Sequence, residues 1–129
     1  MNLNFSKPYC GSAVGHLMKF LYGGKFLKNF EVLQIGGGPA RVYLVDRIWP
    51  TNDIVGQTHG EMIFILKSFA GSPNYRNIQT HEFVHVWQSR QAGGWGLPFM
   101  AKYIWYLIRH GYQNNPYEVQ ARELASRYS

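Results

Sequence analysis

The apolar period of this chain changes at Ile78, and that change limits the folds open to it. Between a first helical segment and Ile78, apolar residues come in short runs with a period near two, set off by turn residues. After it they recur every three or four positions, which is the spacing of a helix face. Strand-forming and helix-forming segments are therefore segregated rather than alternating, the pattern of an α+β fold. One helix comes first. "GSAVGHLMKFLYGGKF" carries Val14, Leu17, Met18 and Leu21 at helical spacing, with Gly23 and Gly24 as its stop.

Three strands are expected next. "NFEVLQIGGG" alternates and ends in glycines, "ARVYLVDRIW" is rich in β-branched and aromatic residues, and "EMIFIL" is a short apolar run. "PTNDIVGQTHG" and "SFAGSPNYRN" read as loops. The spacing then predicts a helix over 78–92 closed by "GGWG". A second helix follows over 97–112 with Pro98 in its first turn. A third begins after Asn115, a plausible N-cap, with Pro116 at the first helical position. Phe99 to Ile108 is apolar nearly all round apart from Lys102, which predicts a helix held in the core or covered by something else.

The chain has 129 residues, which fits a single domain over 1–129 that can bury a core without disulfides or a structural metal. Its one cysteine, Cys10, has no internal partner and is expected to be a small structural residue. No secretory signal and no apolar run of about 18 residues is visible. The cytoplasm is the favoured compartment, with non-classical export as the other route. The formal charge is +6, but the cations are scattered and no block reads as a nucleic-acid arm. No specific nucleic-acid partner is expected. His16, alone on the first helix, is expected to be an ordinary surface or core residue.

Within the helix expected over 78–92, His81-Glu82-Phe83-Val84-His85 has the form H-E-x-x-H. Residues four apart lie on one helix face, so both imidazoles can reach one metal ion. Glu82 is offset by about 100° and can touch a metal-bound water without ligating. With five histidines in 129 residues, the pattern arises by chance at a level below about 1%. Phe83, Val84 and Trp87 occupy the opposite side. His81, His85 and Gln88 form a polar stripe that is costly on a central helix unless something satisfies it.

Two histidines do not complete a catalytic zinc site, which needs three protein ligands and an open position. Gln88 and Gln91 close the metzincin route, which would need glycine and histidine there. Glu118, in the first turn of the last helix, is the preferred third ligand, since a carboxylate is favoured at the positive helix end. Residues 86 to 117 leave room for one helix to go out and return. His110 is the alternative, and Glu123 is a further donor downstream.

This pattern resembles the zincin metallopeptidases, and more narrowly the gluzincins. "THEFVHVWQ" is similar to small bacterial zincin-like domains with an HExxHxxQ motif, several of them associated with toxin and injection-system proteins. The resemblance runs over 41–125, through "RVYLVD" and "VGQTHGEMIFI" to the helix. It implies a small mixed sheet of about three or four strands packed on the H-E-x-x-H helix, with further C-terminal helices. It also implies Zn2+ held by His81, His85 and Glu118, and Glu82 as general base and then general acid. "EMIFIL" would be the cleft edge that binds an extended peptide by strand addition. Gluzincins often place an acid four residues after the ligand glutamate; here Arg122 stands there, so support for a zinc histidine must come from elsewhere. The oxyanion stabiliser is expected upstream, among His59, Tyr75, Tyr103, Tyr106, His110 and Tyr112. The expected activity is hydrolysis of peptide bonds in a peptide or protein substrate. The alternative is a zinc-binding scaffold or toxin-associated module with little hydrolysis and a protein partner.

Overall fold

The computed structural model describes residues 9–49, 54–92 and 96–129. Within them the chain runs α1 (Tyr9–Tyr22), β1 (Lys25–Phe30), β2 (Ala40–Val45), β3 (Gly56–His59), β4 (Met62–Leu66), a short 3-10 turn, α2 (Tyr75–Gln91), α3 (Gly96–Asn114) and α4 (Pro116–Tyr128). The class is α+β. The part of the expected loop at 50–53, the helix stop at 93–95 and the Cys10 side chain lie outside the described residues.

The sheet order is β1-β2-β4-β3, antiparallel except for the parallel β2–β4 pair. Both faces of the sheet are covered, which explains why β2 and β4 are apolar without alternation. Val42, Ile63 and Ile65 pack with Phe83 and Val86 of α2. Tyr43, Val45, Met62 and Phe64 pack on the other side with Tyr22, Met18 and Leu21 of α1. Helix α2 thus lies between the sheet and α4. α1 ends where expected: Gly23 sits at φ 68, the left-handed turn that glycine adopts without a Cβ penalty, and the Gly24 amide caps Lys19 O at 2.8 Å.

Three sequence expectations are corrected. The first strand is "KFLKNF", not "NFEVLQI". Val32 instead accepts amides from Ile35 and Gly36 and turns the chain. β1 is an edge strand with only Phe30 buried, so it has no apolar alternation to read and carries lysines instead. The loop expected over 50–60 contains β3, four half-buried residues with two glycines nearby. Because β3 lies outside β4, "EMIFIL" is an inner strand and not the cleft edge; the edge beside α2 is β3. On α3, Ile104, Trp105 and Ile108 are exposed, so of its two expected arrangements the enclosed one does not hold.

Arg90, in the last turn of α2, locks the helix to the sheet. Its guanidinium donates to Glu61 Oε2 at 3.0 Å, Gly38 O at 2.7 Å and Pro39 O at 2.6 Å. Glu61 lies in the β3–β4 hairpin, so this fork fixes β3 relative to α2.

Candidate metal centre

α2 is buried nearly all round, and several of its buried polar side chains are hydrogen-bonded. Gln79 donates to the Tyr75 hydroxyl at 3.0 Å and Thr80 to Arg76 O at 2.9 Å. The stripe of His81, His85 and Gln88 faces α4. There the cost of burying it is offset by Glu118.

Glu118 comes to this place through the start of α4. The Asn115 side chain accepts the Tyr117 amide at 3.0 Å as the N-cap, and its amide nitrogen donates to Tyr103 O at 3.2 Å. One buried residue therefore joins α3 to α4 and aims the first turn of α4 at α2. Glu118 Oε1 lies 2.9 Å from His81 Nε2, and Glu118 Oε2 lies 3.1 Å from His85 Nε2. The Tyr103 hydroxyl donates to Glu118 Oε2 at 2.5 Å. His110 and Glu123, the other donors considered, are exposed on the outside; the His110 ring lies 6.1 Å from that of Tyr106.

The donor atoms of His81, His85 and Glu118 all lie within 4.8 Å of one another, close enough to hold a metal ion. A tetrahedral ion with bonds of about 2.0–2.2 Å sets its donors about 3.3–3.6 Å apart. The present 2.9 and 3.1 Å spacings run to the two separate oxygens of Glu118, so an ion would have to enter between the carboxylate and the imidazoles and part them. Two imidazoles and one carboxylate are also a donor set that leaves a position open.

Gln88 has a role the sequence did not disclose. Its amide nitrogen donates to Tyr117 O at 3.0 Å and to Gln120 Oε1 at 2.8 Å. Both donors being used on α4, its oxygen is the atom 2.9 Å from His85 Nδ1. It must accept there, so Nδ1 carries a hydrogen and Nε2 is the nitrogen turned to Glu118. This is the support for a ligand histidine that Arg122 cannot give. Arg122 instead donates to Gln113 O at 2.5 Å, tying α4 to the end of α3.

Glu82 is held apart from the three donors. The Thr58 hydroxyl, on edge strand β3, lies 2.8 Å from Glu82 Oε1 and 3.1 Å from Glu82 O. Gly56 on the same strand leaves the carboxylate its space, since a Cβ there would come to 3.0 Å from Glu82 Cγ and Oε2. Tyr103 and Tyr112 are the phenols among the six oxyanion candidates that feel this site. Burial first, then Glu118, pushes both upward, Tyr112 to about 12. The others are engaged elsewhere: His59 with Gln57, Tyr75 with Gln79 and Tyr106 against Tyr117.

Burial alone would depress the His85 imidazole. The Glu118 hydrogen bond, with the charges of Glu82 and Glu118, outweighs burial and holds it up at about 9. Burial likewise opposes ionisation of Glu118, but hydrogen bonds from His81, His85 and Tyr103 hold it well below the usual carboxylate range. Metal-free protein thus keeps a proton on His85 up to about pH 9, and an arriving metal must expel it from Nε2.

No protein-family model matches the chain, and neither a curated protein nor a solved structure matches it.

Two outcomes follow for zinc binding measured by competition with a chelator. Affinity should rise roughly tenfold per pH unit from pH 7 toward 9, as the His85 proton becomes easier to remove; a flat profile would contradict the pairing. Gln88→Ala should weaken binding about 10- to 100-fold at unchanged helicity. Wild-type affinity in that variant would show that Gln88 does not orient His85.

Proposed function

We propose that this chain is a zinc-dependent metallopeptidase of zincin type. The observation that carries the reading is the juxtaposition of a three-donor cluster with a separate carboxylate, Glu82, one position along the same helix and tied to the sheet edge. His81, His85 and Glu118 would hold the ion. Zinc in such a donor set supplies a Lewis acid that acidifies water and polarises a carbonyl.

The chain's own groups carry the rest. Glu82 accepts the proton of the attacking water and delivers it to the departing amine nitrogen. Thr58 fixes Glu82 Oε1, so Glu82 Oε2 is the oxygen left for proton transfer. Tyr103, on releasing Glu118 Oε2, would donate toward the carbonyl oxygen as it gains charge, and Tyr112 is the other phenol near Glu118. An extended peptide adds its backbone to β3, the edge strand next to the base.

A second reading draws on the enclosure of the site. Glu82, His85 and Glu118 are all buried, and His81 is the donor with most surface, its side chain 16% exposed. A metal-holding scaffold or toxin-associated module with little hydrolysis would need no wider mouth.

Glu82→Gln separates the two. In the peptidase it retains zinc at wild-type stoichiometry and lowers peptide hydrolysis at least about 100-fold, measured on any peptide the wild type cleaves. Undiminished cleavage by that variant would exclude Glu82 as the base. A zinc-loaded wild type that cleaves nothing in a proteome-derived peptide library would favour the scaffold.

A further inference from the structure

The chemistry proposed above makes no use of the outer face of α3. Ile104, Trp105 and Ile108 fall within one arc of about 100° on that helix, before the kink at Gly111. All three are exposed, Trp105 at 54% and Ile108 at 75%. The opposite arc presents Tyr103 and Tyr106 to Glu118 and Tyr117. α3 packs beside α1, whose Val14, Leu17 and Phe20 are also exposed, Phe20 at 82%. Large apolar side chains bared on two neighbouring helices mark an interaction surface.

Charge identifies what would cover it. Residues 83–117 contain neither Asp nor Glu, and the same holds for residues 1–30. Neither α1 nor α3 therefore carries a carboxylate. Cations flank the apolar arc instead: Arg109 lies 5.4 Å from the Trp105 ring, and the exposed Lys102 stands on the same flank. A second copy docking through the same face would set cation against cation with no carboxylate to pair. A nucleic acid would call for a row of cations in place of the large apolar groups. An apolar and aromatic arc with cations at its flank fits an anionic lipid surface, where a helix lies in the interface plane. No described helix is long and apolar enough to cross a membrane, so the attachment is superficial.

We propose that the α1–α3 face docks on the anionic surface of a lipid bilayer. Trp105, Ile108 and Phe20 enter the headgroup boundary, while Lys102 and Arg109 meet the lipid anions. This inference is independent of the metal reading.

Flotation of the full chain with vesicles tests it. The protein should float with phosphatidylcholine vesicles containing roughly 30% phosphatidylserine and stay behind with phosphatidylcholine alone. Ile108→Glu should cut the bound fraction at least about tenfold, as should Lys102→Glu with Arg109→Glu, and rising salt should release the wild type. Trp105→Ser serves as a second apolar variant, and circular dichroism checks that each is folded. The proposal is overturned by absence of flotation on anionic vesicles, by equal binding to neutral ones, or by unaltered binding of the folded variants. It is also overturned if the lipid-free protein is a dimer that Ile108→Glu splits, since the face would then belong to a second copy.

Discussion

Everything at this site depends on a carboxylate being taken out of water. Glu118 is 3% exposed, and a buried carboxylate is tolerated only where charge and hydrogen bonds replace its hydration. The replacements come from two other helices: His81 and His85 of α2 and Tyr103 of α3. The cluster therefore exists only when α2, α3 and α4 are docked together, and Asn115 is the bond that makes the last two arrive as a unit. Apolar side chains filling this place would stabilise the fold as well or better. A buried histidine–carboxylate trio is explained more directly by what it can bind than by what it adds to stability.

The sheet contributes the second carboxylate's separate character. Glu82 and Glu118 face the same region but are held by different chemistry, one by a hydroxyl on β3, the other by imidazoles and a phenol. That difference of environment gives the two carboxylates the separate roles of ligand and base in the proposed reading. It requires β3 to sit at a fixed distance from α2. Gly56 permits the approach, and the Arg90 fork to Glu61 holds it. Gly56 on β3 and Arg90 at the end of α2 thus act together on the spacing of Glu82 from the edge strand.

The central helix, the inner strands and the last helix were legible in the sequence because their signals are strong and local. Burial on both faces makes β2 and β4 continuous apolar runs, and Asn115-Pro116 is an explicit helix start. The cluster of His81, His85 and Glu118 was legible as well, since helical spacing and a first-turn carboxylate are sequence properties. What escaped was set by tertiary structure. β3 has no apolar run because it is a half-buried edge, and its omission made β4 look like the rim of the cleft. Gln88 read as a residue that excluded another ligand scheme, because its contacts lie on α4 and are far away in sequence. That Tyr103 and Tyr112 alone of six upstream residues interact with Glu118 depends on the path of α3. The apolar sequence of that helix does not by itself decide enclosure, since burial is set by what packs against a helix and not by its composition.

Metal content of the purified chain, after loading with zinc and exhaustive dialysis, bears most directly on whether the trio is a metal centre. The wild type should retain about one zinc per chain, and Glu118→Ala should retain far less while Glu123→Ala behaves as wild type. A wild type that retains no zinc, or a Glu118→Ala variant that retains as much, would contradict it.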